Sequence, residues 1–173
     1  MRLSARSIGT LAFVLLVSAC ASDGSPEEYF AELEMVTATL DVELDELEAG
    51  FNAGILEINF ETADAEGALI TLFQASLDGT ADSFARLVAG LGNIDPPSSI
   101  AAPHEDALQA GERVLAEYRE REDQLASLDT LADLDAYAAA FSATGSRQRF
   151  TEACQELQTI ADLEGIDAAL GCS

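Results

Sequence analysis

Large apolar side chains recur along this chain at alternating spacings of three and four, and that spacing constrains the fold more than any other feature. Phe30, Leu33, Thr37, Leu40, Leu44 and Leu47 are separated by 3, 4, 3, 4 and 3 residues. With 3.6 residues per turn they form one stripe along a helix, and the stripe must be covered. Ser25 followed by Pro26, Glu27 and Glu28 is a helix start: serine as N-cap, proline in the first turn, and a glutamate three residues on to complete a capping box. Gly50 offers a stop, so the first helix is expected over Pro26 to Ala49.

The same period returns three times. Leu69, Phe73, Ser76, Thr80, Phe84, Leu87 and Leu91 share a stripe, which predicts a second helix from Thr62 or Asp64 to Leu91, weakened locally by Gly79. The segment GNIDPPSS, Gly92 to Ser99, breaks it, because paired prolines cannot continue a helix. A third helix from about Pro103 carries Leu108, Gly111, Leu115, Tyr118 and Leu125, with Val114 widening the face. The fourth carries Leu131, Leu134, Ala138 and Phe141, pauses at Thr144 to Ser146, and resumes through Phe150, Cys154, Leu157 and Ile160 until Gly165. Short connections make sequential helices antiparallel. The expected fold is therefore all-α, an antiparallel four-helix-type bundle spanning residues 26–173 as one domain.

One segment fits this plan poorly. In FNAGILEINF, Phe51 to Phe60, the apolar residues Leu56, Ile58 and Phe60 alternate with Glu57, Asn59 and Glu61, a two-residue period without a partner strand. It reads as a long connection or helical extension whose apolar residues plug the bundle end. If exposed, Phe51, Ile55, Leu56 and Phe60 would form a patch for a partner.

Before the bundle lies a different kind of segment. Arg2 and Arg6 precede an apolar run, Ile8 to Val17, about ten residues long, where a membrane-spanning helix needs roughly 20. Small residues Ser18 and Ala19 then lead to Cys20, the layout of a secretory signal. The ending Val17-Ser18-Ala19-Cys20 resembles the lipobox of bacterial lipoproteins. That resemblance implies a signal peptide over 1–19, cleavage before Cys20, lipid on its thiol and new amine, and a lipidated tether over 20–25. Two or more acyl chains anchor stably where one is marginal, each buried methylene contributing about 0.8 kcal/mol. The implied address is extracytoplasmic, on the cell membrane or the outer membrane.

Lipid on Cys20 would leave Cys154 and Cys172, an even pair in a compartment where disulfides persist. Their loop of about 19 residues would contribute roughly 3 kcal/mol in the chain-entropy model. Two buried free thiols are the alternative. The end of the chain, ACQELQTIADLEGIDAALGC, is loosely similar to the ends of acidic helical bacterial lipoproteins that lack an assigned activity. This resemblance implies a disulfide-closed helical terminus and carries over no catalytic residue.

Charge and motif content exclude several function classes. The chain holds 32 acidic and 8 basic side chains, with no lysine, for a formal net charge of −24. Nucleic-acid binding is disfavoured, because affinity for phosphate comes from Lys and Arg. The only histidine, His104 in APHEDALQ, follows Pro103 at a helix start in register with Leu108 and Leu115, the setting of a capping or packed imidazole and not of a triad base. HExxH, Glu-x-x-His, an EF-hand loop and a Gly-rich phosphate loop are all missing. Asp41, Asp45 and Glu48 share one helical face, and Glu112, Glu117 and Glu120 lie elsewhere; both sets read as solvent-facing. No catalytic residue, metal site or cofactor is expected.

The functional expectation is a non-enzymatic binding or envelope-associated module, held at the membrane through Cys20 and meeting another envelope protein. The alternative is a weak divalent-cation-binding or buffering protein that uses its acidic surface. Only about five residues separate Cys20 from Pro26, at most roughly 18 Å when extended, so the first helix would start near the membrane. Glu27, Glu28, Glu32 and Glu34 would be repelled by anionic head groups. Partner contacts are expected at the far end, on Gly50 to Glu61 and near Leu128 to Thr130.

Overall fold

The computed structural model describes residues 24–128, 130, 132–134, 136, 137 and 145–172. Over these the chain is all-α: α1 runs Pro26–Glu57, α2 Ala65–Leu91, α3 Ala101–Leu125 and α4 Ser146–Glu164. Between α3 and α4, residues 132–134 and 136–137 are also helical, and no strand occurs among the described residues. The expected signal peptide, Cys20, and Leu131, Ala138 and Phe141 of the fourth stripe lie outside the described residues.

The start of α1 follows its sequence signal. The Ser25 hydroxyl accepts the backbone N–H of Glu28 at 3.1 Å, satisfying one of the donors that a helix start leaves without an internal partner. The expected stop at Gly50 is wrong. α1 continues to Glu57, about two turns further, making a helix roughly 48 Å long. The reason is tertiary. Phe51 stands edge-on to Phe73 of α2, with ring centroids 4.8 Å apart, and Gly54 lies against Leu72. These contacts outweigh the roughly 1 kcal/mol that a mid-helix glycine costs. The two-residue alternation at Leu56 to Phe60 is thus no strand: Glu57 ends the helix, and residues 58–64 turn into α2.

Gly79 does not interrupt α2 either. A Cβ there would stand 2.5 Å from a Leu47 methyl carbon, so the missing side chain lets the two helices approach closely. α2 ends at Leu91 before the proline pair, as its sequence dictates, and Ile94 and Ile100 of the connection are buried. In α3 the buried positions include Ala107, Ala110 and Val114, while Leu108 and Leu115 pack beside them. Gly165, left-handed at φ 71°, closes α4.

Consecutive helices pack as antiparallel neighbours, α1 on α2, α2 on α3 and α3 on α4. Ion pairs at the surface mark this register: Arg86 forks onto Glu43 at 2.7 and 2.8 Å, and Arg119 reaches Asp82 at 2.7 Å, while Glu122, one turn on in α3, holds the same guanidinium at 3.0 Å. The main core runs through all four helices, with Phe30, Leu33, Leu87, Leu91, Val114, Leu157 and Ala161 almost wholly buried. A smaller cluster of Ile70, Leu125 and Leu134 closes the other end, beside Phe73 and Tyr137.

The C-terminal tail, residues 166–172, packs between α1 and α4. After Gly165 the chain turns back along α4, and Cys154 and Cys172 form a disulfide with Cα atoms 5.5 Å apart. Leu170 is 1% exposed, wedged into the main core. Gln158 of α4 donates to the Ala168 carbonyl at 2.8 Å and accepts from the Leu170 N–H at 3.0 Å, while Glu34 of α1 accepts from Ala169 at 3.4 Å. The fold is the expected antiparallel four-helix-type bundle with its tail tied back by a disulfide.

Candidate functional site

Beside the tail, the seam between α1 and α4 opens into a cleft of about 350 Å³. This volume is at the lower end of small-ligand pockets, which occupy roughly 300–1,000 Å³. Each element contributes to it: α1 gives Thr37, Leu40, Asp41, Leu44 and Glu48; α2 gives Thr80 and Phe84; α3 gives Tyr118; α4 gives Arg147, Phe150, Thr151 and Cys154; the tail gives Leu170, Gly171 and Cys172. The helical period decides who stands where. Residues spaced by three and four on α1, from Thr37 to Glu48, follow the inward stripe and its edge.

The lining is graded. Leu40, Phe84, Tyr118, Cys154 and Leu170 are buried and form the floor, whereas Asp41, Glu48 and Arg147 are exposed at the rim. Phe84 is the centre of an aromatic group, 5.3 Å from the Tyr118 ring and 6.0 Å from Phe150, the latter edge-on. Burial pushes the Tyr118 phenol up in pKa; Arg147 acts against that shift and Glu117 adds to it. Asp41 is also raised, first by desolvation and then by the neighbouring Asp45 carboxylate. Its carboxylate packs against Gly171, whose φ of 61° and missing side chain allow the tail to pass there. A methyl group at that position would collide with Asp41 in a conformation that side chains rarely adopt.

Deeper along α3, Glu117 accepts from the Ser146 hydroxyl through Oε2, and its Oε1 is buried without a hydrogen-bond partner. His104 lies elsewhere, at the base of the bundle. It is 5% exposed, its Nδ1 stands 3.1 Å from the Tyr29 hydroxyl, and the two rings meet edge-on at 5.7 Å. Burial lowers the imidazole pKa, opposed by Glu105 and by a hydrogen bond to the Leu91 backbone. This is a packed, satisfied histidine, as its sequence setting suggests. Among the described residues no group of three or more His, Cys, Asp or Glu side chains could hold a metal ion, and no helix is long and apolar enough to cross a membrane.

The residues singled out in the sequence fall in different places. Cys154 and Cys172 meet and form one wall of the cleft. Cys20 lies outside the described residues. Phe51 and Ile55 are half-buried at the far end of α1, but Leu56 is 87% and Phe60 61% exposed. An open groove of about 420 Å³ adjoins them, lined by Gly54, Ile58, Ala68 and Leu72 among others. Of the four residues, two are thus exposed and two half-buried. Asp41 and Glu48, read from sequence as solvent-facing, border the cleft. Their period placed them beside the stripe, but nothing local set Arg147 or Tyr118 across from them. No family model, curated protein or solved structure matches this chain.

Proposed function

We propose that the protein is a non-enzymatic binding module anchored by lipid on Cys20 and displayed outside the cytoplasm. The observation that carries this reading is the Cys154–Cys172 disulfide, which takes up two of the three cysteines, leaves Cys20 outside that bridge and suits an oxidising compartment. The lipobox-like Val17 to Cys20 and the capped start of α1 a few residues later agree with it. The helices supply a rigid body, and the exposed Leu56 and Phe60 at the C-terminal end of α1 and just after it supply apolar contacts for another envelope protein. Such a body needs no cofactor.

The test is fractionation with radiolabelled palmitate. The natural chain should be labelled and membrane-bound; Cys20→Ala should be unlabelled and either unprocessed or released. A Cys20→Ala protein that stays in the membrane at the mature mass refutes the anchor.

A further inference from the structure

We propose that the cleft between α1, α4 and the tail binds a small organic cation with an apolar body, its positive group at the Asp41–Glu48 rim and its hydrocarbon against Phe84, Tyr118 and Phe150. This rests on the reading of the protein as a binding module, but not on its lipid anchor.

Three independent features of the cleft agree on that chemistry. The first is shape: about 350 Å³ bounded by four helices and a covalently fixed tail accommodates a molecule of drug-fragment size without rearrangement. The second is the floor. Tyr118 and Phe150 lie 5.3 and 6.0 Å from Phe84, and this aromatic group offers apolar ring surface on which the hydrocarbon body of a ligand packs. The third is the sign of the rim. Asp41 and Glu48 border the opening, and Asp45 stands close enough to Asp41 to raise its pKa, so negative charge is crowded there. A bound cation relieves that crowding.

The single cation of the lining, Arg147, makes no ion pair among the described residues and borders the opening from α4. It would favour a carboxylate ligand if the rim were otherwise neutral. Two carboxylates against one guanidinium decide for the cation. The apolar body is required for the same reason that an inorganic ion is not: Leu40, Leu44 and Leu170 offer nothing to a hydrated metal ion.

The experiment is calorimetric titration of the purified full chain with three probes of one shape and different charge: 2-phenylethylammonium, 2-phenylethanol and 3-phenylpropionate. The ammonium should give one saturable site, about tenfold tighter than the alcohol, and the carboxylate should bind weakest. Asp41→Asn with Glu48→Gln should weaken the ammonium about tenfold. Glu156→Gln with Glu164→Gln, which removes the same charge from exposed positions of α4 outside the cleft, should change it less than twofold. An equal loss in both variants marks diffuse attraction to the acidic surface and overturns the proposal. So does equal affinity for the alcohol, preference for the carboxylate, or no saturation at millimolar probe. Amide and aromatic NMR shifts of the unsubstituted protein give a second arm that needs no variant: they should centre on Tyr118, Phe150 and Thr151, and shifts confined elsewhere overturn the assignment. Failure here leaves the Cys20 anchor untouched, since fractionation reads that alone.

Discussion

The Gln158 side chain brackets Leu170: its amide oxygen accepts the Leu170 N–H at 3.0 Å, while its amide nitrogen donates to the carbonyl of Ala168. One α4 side chain thereby satisfies two backbone groups of a tail that has no secondary structure of its own. Gln158→Leu leaves both groups partly buried and unpaired, at about 1–2 kcal/mol. We expect a melting temperature lower by roughly 3–6 °C and faster hydrogen exchange at the Leu170 amide. Unchanged exchange there would show that the tail is held by the disulfide alone.

Reducing the disulfide should act on the same tail. The bridge joins residues 18 apart, and the chain-entropy model assigns such a loop roughly 3 kcal/mol. The helices themselves carry the main core, so circular dichroism at 222 nm should stay nearly constant at room temperature while the melting temperature falls. Labelling of both cysteines by a thiol reagent in the native, non-reduced protein would contradict the bridge.

His104 makes stability depend on pH in a defined direction. Its folded pKa lies below the ordinary value of about 6.5, first because of burial, so the unfolded chain takes up a proton that the folded imidazole refuses. This contribution is fully present above the ordinary value of about 6.5 and is lost as pH falls from there toward the folded pKa. Asp41, whose pKa is raised, works in the opposite sense at lower pH. Urea midpoints at pH 7.5 and 5.5 should therefore differ less in His104→Gln than in the natural chain. An identical difference in both would remove His104 as the cause.

The far end of α1 separates packing from contact. Phe51→Ala removes a half-buried ring from Phe73 and should cost about 1–2 kcal/mol, less than the 3–5 of a fully buried phenylalanine. Leu56→Ser and Phe60→Ser touch exposed side chains and should change stability by no more than about 0.5 kcal/mol. In a pull-down from solubilised membranes, the serine variants should lose an envelope partner that Phe51→Ala retains. Loss in all three, in step with stability, would return this segment to a purely structural role.

The all-α class, the Ser25 start, the stop before Pro96 and Pro97, the turn at Gly165 and the Cys154–Cys172 pairing were all legible in the sequence. Each depends on a local signal: a period of 3.6, a cap, a missing N–H, or the parity of cysteines. The length of α1 was not, because Gly50 is a valid local stop and only Phe73 and Leu72, some twenty residues away, override it. His104 could be recognised as packed, but not that Tyr29, 75 residues earlier, holds it. The cleft was invisible for the same reason. Asp41, Tyr118, Arg147 and Gly171 share no spacing and no motif; they converge because antiparallel helices bring distant turns level and the tail packs beside α1 and α4. Periodicity fixes which face of a helix is buried, and only long-range packing decides which neighbour meets it and where a gap is left.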